Sequence, residues 1–159
     1  MKTSVSLENS FLASLTGLLT GPIFMLLVCA CNGAVYRPAF FGSLAQVEAG
    51  NKSQAVGKAG ERGLYQLTRS VWYEYTSQPF ALAHDPATAL AVATQHADLI
   101  ERELIRRGIT PTAYLTALCW NAGVSGALSG RAGARSRDYA RRVSNLYLDA
   151  LFGHKRGES

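Results

Sequence analysis

The chain has 159 residues, of which 48% are hydrophobic and 17% charged, so one compact domain with a sizeable core is expected and a second domain is not. Its formal net charge of +5 at pH 7 favours an anionic partner over a cationic one. That class still includes nucleic acid, lipid headgroups and carboxylate-bearing polymers, and charge alone does not choose among them.

The N-terminal segment predicts export or membrane attachment. An uncharged stretch at residues 11–30 follows an N-terminus in which Lys2 is the only cationic side chain. The end of this stretch, with Cys31, resembles a degenerate bacterial lipobox. Three outcomes stay open: lipoprotein cleavage before Cys31, ordinary signal cleavage, or an uncleaved membrane anchor. Residues 1–31 are therefore predicted to be a signal or anchor of a protein in the periplasm or cell envelope.

The rest of the chain predicts an all-α domain. Beyond a linker at residues 32–38, helical periodicity dominates and no alternating apolar-polar run predicts a strand, so a single domain is expected over residues 39–153. Residues 154–159 form a polar tail. About five helices around one core are expected, at approximately 39–49, 64–76, 86–108, 111–121 and 136–150.

Capping signals mark several of these helix ends. Asp85 and Thr110 each precede a proline, and a capping side chain followed by proline suits the first turn of a helix. Ser136 is expected to cap the last helix, after a flexible loop rich in Gly, Ser and Ala.

Several kinds of site chemistry are poorly supported. The histidines lie far apart in the sequence and no pair has the spacing of helical metal ligands, so neither a metal site nor a cofactor is predicted. The segment at 123–127 lacks the second glycine of a serine nucleophile elbow, and no Walker-type phosphate loop is present. Carboxyl groups are left as candidates.

Most carboxylates beyond residue 31 have an ordinary expected role. Asp85 is assigned to the cap, and Glu101, Asp149 and Glu158 to surface or tail positions. Three others have an arginine four residues later, which predicts solvated ion pairs: Asp98–Arg102, Glu103–Arg107 and Asp138–Arg142. Three acids remain: Glu48, Glu61 and Glu74.

Glu48 is unusual because it falls on the helical stripe of Phe41 and Leu44, the face that should turn inward. Partial burial of a carboxyl group raises its pKa, as a general acid working near neutral pH requires. The alternative is that Glu48 only ends the apolar face of its helix and reaches water past Gly50. The residues themselves leave both interpretations open.

The spacing after Glu48 resembles the signature of the soluble-lytic-transglycosylase-like family. In that family a catalytic glutamate is followed eighteen positions later by the glutamine of a Gly-Leu-Met-Gln motif. Here the segment EAGN at 48–51 is followed by GLYQ at 63–66, and Gln66 stands at that distance.

Two further motifs follow in the family's order. The segment CWNAG at 119–123 resembles the Ala-Tyr-Asn-Ala-Gly motif, and DYARRV at 138–143 resembles the C-terminal tyrosine helix. The three motifs cover residues 40–147, nearly the whole predicted domain.

The chain also departs from the family pattern. Ala49 and Gly57 stand where many members carry serine. Tyr65 replaces methionine and Trp120 replaces tyrosine, changes that keep an aromatic surface for stacking on sugars.

The resemblance implies a lysozyme-like fold and a monomeric peptidoglycan lytic transglycosylase without a cofactor. Neutral Glu48 would protonate the oxygen between N-acetylmuramic acid and N-acetylglucosamine, and its carboxylate would then accept the proton of the sugar's C6 hydroxyl, leaving a 1,6-anhydro end. The implied substrate-binding residues are Tyr65, Gln66, Trp120, Asn121 and Tyr139. For most of them a purely structural role is the alternative, with Trp120 and Tyr139 as core aromatics.

Three rival functions are weighed against this one. A goose-type-lysozyme-like hydrolase would use water and would need Glu61 or Glu74 as a base. A non-catalytic peptidoglycan-binding module would fit the missing serines. Nucleic-acid binding is suggested only by an arginine cluster at 131–142, for which a solvated helix face is the commoner explanation, and an export signal argues against it.

Overall fold

The computed structural model describes residues 35–153. The predicted signal or anchor at 1–31, the lipobox and the tail at 154–159 lie outside this range. Within residues 35–153 the chain is all-α, with six α-helices and no strand, which confirms the predicted class. The elements are α1 (Arg37–Ala49), α2 (Arg69–Tyr75), a 3₁₀ helix (Phe80–His84), α3 (Pro86–Arg106), α4 (Ala113–Ala122), α5 (Val124–Leu128) and α6 (Ala134–Phe152).

None of these helices combines the length and the apolar character needed to cross a bilayer. Helix α1 begins at Arg37, inside the predicted linker, and Val35 before it is already buried. Helix α5 occupies part of the stretch for which a flexible loop is predicted.

The capping predictions are confirmed for one helix and corrected for two. Asp85 accepts hydrogen bonds from the Thr88 amide at 2.8 Å and from its hydroxyl at 2.6 Å, so it caps α3 as predicted. Helix α4 is capped by Thr112 rather than by Thr110. Helix α6 begins at Ala134, so Ser136 lies inside its first turn and caps nothing.

The second helix begins five residues later than predicted, because residues 64–68 belong to a tight loop. Gly63 and Gln66 have φ angles of +77° and +44°, a left-handed conformation that an α-helix does not accommodate. A Cβ atom at Gly63 would lie 1.8 Å from the carbonyl oxygen of Ala83, so only glycine fits where this loop meets the 3₁₀ helix. Thr68 then caps α2 through the Val71 amide.

Helix α6 packs most extensively against α4 and against α1, and these three helices enclose the main core. Phe40, Leu44 and Val143 are fully buried between them. Trp72 of α2 is also fully buried, and its indole donates a 2.7 Å hydrogen bond to the carbonyl oxygen of Gln78. Because Leu44 lies one turn before Glu48, the core holds the end of α1 in place.

Ion pairs fasten the start of α1 to α3. Arg37 donates to Asp98 at 2.5 Å and to Glu101 at 2.8 Å, and Thr116 of α4 donates to Glu101 at 3.5 Å. Two predictions were therefore wrong. Asp98 pairs with Arg37 instead of Arg102, and Glu101 is buried instead of exposed, with only 8% of its surface accessible. The partner is 61 residues away from Asp98, so local spacing does not reveal it.

The other two predicted ion pairs have mixed outcomes. Glu103 pairs with Arg107 at 2.6 Å, as predicted, and also with Arg106. Asp138 pairs with Arg141 at 3.3 Å rather than with Arg142.

Replacing Arg37 with alanine is expected to lower the free energy of unfolding by about 2 kcal/mol near neutral pH, between the values for exposed and fully buried ion pairs. The cause is the buried Glu101 carboxylate left without its cation. Urea denaturation of Arg37→Ala, with Arg141→Ala as the exposed control, measures the difference. The control should change stability by less than about 0.5 kcal/mol.

The stability lost in Arg37→Ala should also depend on pH. Burial raises the pKa of Glu101 and the charge of Arg37 lowers it, so the variant's pKa is higher still. A carboxyl group whose folded pKa is raised contributes stability that is present below its unfolded pKa and is lost as the pH rises through the folded value. The loss caused by Arg37→Ala should therefore be smaller at about pH 4 than at about pH 7. An equal loss at both values would contradict the charged pair.

Candidate active site

Glu48 lies in the last turn of α1, on the stripe that the sequence predicts. Phe41 and Leu44 on this stripe are buried in the core, and Glu48 is half-buried beyond them. The helix ends directly afterwards at Gly50, whose φ angle of +56° is left-handed and whose amide bonds back to Gln46 at 3.1 Å. The carboxyl group is thus held at a rigid helix end rather than on a loop.

Tyr139 of α6 contacts Glu48 directly. Its hydroxyl donates a 2.6 Å hydrogen bond to Glu48 Oε1, and the two residues are 91 positions apart in the sequence. Tyr139 is itself buried, with 9% of its surface exposed. The structure therefore brings together residues from the first and third motifs of the sequence.

Burial sets the protonation of Glu48. Desolvation raises its pKa above the ordinary value, and the hydrogen bond from Tyr139, together with a weaker effect of the Trp120 indole, lowers it by less. The negative charge of Glu61 raises the pKa of Glu48 further. The net direction is upward, which favours the neutral acid that can donate a proton to a substrate oxygen.

Burial also acts on Tyr139. It raises the pKa of the phenol well above the ordinary value, and the charge of Glu48 adds to this, so Tyr139 stays neutral and remains a hydrogen-bond donor.

Trp120 of α4 connects Glu48 to two further ring side chains, His96 and Tyr75. Its ring packs edge-on against His96 of α3, with centroids 4.9 Å apart, and His96 Nδ1 forms a 3.1 Å hydrogen bond with the Tyr75 hydroxyl. Burial lowers the pKa of His96, so the imidazole is neutral near pH 7. The packing of His96 therefore supports the Trp120 ring from α3.

Neither His96 nor Tyr75 was expected from the sequence to support the site. The spacing of His96 does indicate that it faces the interior, since it lies four residues after Val92 and four before Ile100, two buried residues of α3. Tyr75 had no such signal, because its contact with His96 depends on how α2 packs against α3.

Two polar side chains of the 50–68 loop converge at Gly57. The Ala59 amide donates to Glu61 Oε2 at 3.0 Å, and Gln66 Nε2 donates to the Gly63 carbonyl oxygen at 3.0 Å. A Cβ atom at Gly57 would lie 2.2 Å from Glu61 Oε2 and 2.6 Å from Gln66 Oε1. The space that a serine would need at position 57 is therefore occupied by Glu61 and Gln66.

The remaining candidates lie in different surroundings. Tyr65 is 5% exposed and packs edge-on against Phe41 with centroids 5.6 Å apart, so its ring belongs to the core and presents no face for a sugar. Asn121 is exposed near the end of α4, beside Trp120. Glu74 is exposed on α2, and its charge acts on His96 and Tyr75 rather than on Glu48. Of the two rival bases, Glu61 is therefore the one near Glu48.

Within residues 35–153, no group of three or more His, Cys, Asp or Glu side chains is arranged to hold a metal ion. Comparison of the chain with protein-family models and with curated proteins found no match. Its function is therefore inferred from the side chains around Glu48 and from the three motifs.

Replacing Tyr139 with phenylalanine is expected to raise the pKa of Glu48 further, because the hydrogen bond that stabilises the carboxylate is lost while the burial remains. One such bond to a charged group is worth about 1.5–3 kcal/mol, or roughly one to two pKa units. The titration of the Glu48 carboxyl carbon by NMR measures the change. Tyr147→Phe is the control, since that hydroxyl bonds to the Tyr36 amide instead. An unchanged pKa in Tyr139→Phe would contradict the assignment.

Proposed function

We propose that the chain is a peptidoglycan lytic transglycosylase with a lysozyme-like fold, a lyase that cleaves the β-1,4 bond between N-acetylmuramic acid and N-acetylglucosamine. The observation that carries the proposal is the 2.6 Å hydrogen bond from Tyr139 to a half-buried Glu48 whose pKa is raised. It joins two residues that the motif resemblance places in one site.

In the proposed reaction Glu48 acts first as acid and then as base. Its proton passes to the glycosidic oxygen as the bond from that oxygen to the sugar's anomeric carbon breaks. The C6 hydroxyl oxygen of the same sugar bonds to the anomeric carbon, and its proton passes to the Glu48 carboxylate. The enzyme is restored, no water is consumed, and the product carries a 1,6-anhydro end.

The neighbouring residues supply positioning. Tyr139 orients the carboxyl group and supports its charged form. Trp120, Gln66 and Asn121 are proposed to bind the sugars, whereas Tyr65 supports α1 through Phe41. A positioned acid-base group contributes about 10²–10⁴ in rate, so the remainder must come from holding the sugar in a reactive geometry.

Residues 1–31 are proposed to deliver the enzyme to the periplasm or cell envelope. A lipid on Cys31, or the 11–30 segment itself, would then hold it at the membrane near the peptidoglycan strand.

A hydrolase is the second candidate, and one observation favours it. The charge of Glu61 reaches Glu48, and two carboxyl groups in one site allow acid and base to be divided between them. Glu48 would give its proton to the leaving oxygen, Glu61 would take a proton from water, and the water oxygen would bond to the anomeric carbon. The product would then be a reducing end.

Glu48→Gln is expected to lower the release of fragments from purified peptidoglycan by at least about 100-fold. Mass spectrometry of the fragments released by the full chain should find 1,6-anhydro ends, and Glu74→Gln serves as a control at an exposed acid. Retention of the chain on sedimented peptidoglycan without any release would overturn the enzymatic proposal and favour a binding module.

Glu61→Gln separates the two candidates. For the transglycosylase, the variant should keep the anhydro products and lose less than about tenfold in rate. Removing the Glu61 charge lowers the pKa of Glu48, so the loss of activity at alkaline pH should begin at a lower pH. For the hydrolase, reducing-end products should fall by about 10²–10⁴. Product analysis and a pH profile of both proteins make the distinction.

A further inference from the structure

Two arginines, Arg135 and Arg142, lie about one turn before and one turn after Tyr139 on α6. A helix turns by about 100° per residue, so Arg135 and Arg142 lie about 40° and 60° around the axis from Tyr139. Arg137 and Arg141 lie about 160° away, on the other flank of the helix. Since Tyr139 points at Glu48, the first pair lies on the side of α6 that carries the site.

The electrostatics of the site agree with this placement of Arg142. Its positive charge lowers the pKa of Tyr139 against the larger effects of burial and of Glu48. Both Arg135 and Arg142 are exposed. Among residues 35–153, neither forms an ion pair with a carboxylate, whereas Arg141 next in the chain pairs with Asp138 at 3.3 Å.

Helix stability does not account for Arg135. It is the second residue of α6, whose first turn contains no acidic residue and whose capping residue, Gly133, has no side chain to bond the free amides. A positive charge at this end opposes the helix dipole and is mildly destabilising. Arg135 is therefore mildly destabilising to α6 and has no acidic partner in its first turn.

From this geometry we propose that Arg135 and Arg142 bind a carboxylate of the substrate beside the glycosidic bond that Glu48 cleaves. The site would then select a glycan whose sugars carry acidic peptides over a neutral glycan. This inference rests on the proposed function, and it names the feature of peptidoglycan that the site recognises. Guanidinium groups suit the task because their planar N–H donors match the two oxygens of a carboxylate.

The test compares two forms of one polymer. In both, the peptide amines of purified peptidoglycan are acetylated, and in one the carboxylates are then converted to methylamides. Fragment release by the full chain gives kcat and KM for four proteins: the wild type, Arg142→Gln, the Arg135→Gln/Arg142→Gln double variant, and Arg141→Gln. The last variant removes the same charge from the neighbouring position on the opposite flank.

Exposed ion pairs are weak, so the double variant is expected to raise KM for the acidic polymer by roughly three- to tenfold, with kcat nearly unchanged. Converting the carboxylates to methylamides should raise the KM of the wild type and of Arg141→Gln by the same factor and leave the double variant unaffected. Equal KM values for Arg141→Gln and Arg142→Gln, or a wild type indifferent to the carboxylates, would overturn the inference.

Failure of the proposed function gives a different result. If no protein releases fragments from either polymer, the enzymatic proposal fails, and sedimentation binding to the same two polymers decides the inference. Tighter binding of the acidic form that disappears in the double variant supports the arginine site, and equal binding of both forms by the wild type contradicts it.

Discussion

Burial of a carboxyl group raises its pKa and favours the neutral acid, yet the group can give up its proton in a reaction only if the charged form is also supported. Glu48 meets both conditions. The end of α1 is held against the core by Leu44, which provides the burial, and the Tyr139 hydroxyl at 2.6 Å supports the carboxylate. The packing of α6 against both α1 and α4 is what allows one side chain to meet these opposing requirements.

The helices were largely predictable, because an apolar face repeats along each of the long ones and Asp85 marks the start of α3. The wrong predictions concern residues whose conformation or exposure depends on contacts with residues distant in the sequence. Residues 64–68 have a plausible helical pattern, but the close approach of Gly63 to Ala83 imposes a left-handed turn there. Glu101 looks like a surface acid until Arg37 is seen beside it.

The two residues that meet at the centre of the candidate site were singled out from the sequence, whereas several of their neighbours were not. Glu48 stood out as an acid on an apolar stripe, and Tyr139 was assigned through its motif; their hydrogen bond joins them. His96 was missed because a histidine among apolar neighbours has several ordinary explanations. Tyr65 was expected to face a sugar, but an aromatic ring at a loop end can turn inward or outward with the same local sequence, and here it packs on Phe41.

The crowding at Gly57 links two positions of the loop. A side chain at 57 and the long acid at 61 compete for one volume, since the added Cβ would overlap the Glu61 carboxylate at 2.2 Å. Gln66 Oε1 lies 2.6 Å from the same Cβ position, so the cost of a side chain at 57 depends on how far the ends of both long side chains can move. In evolution, a substitution at 57 should therefore depend on which side chains stand at 61 and 66.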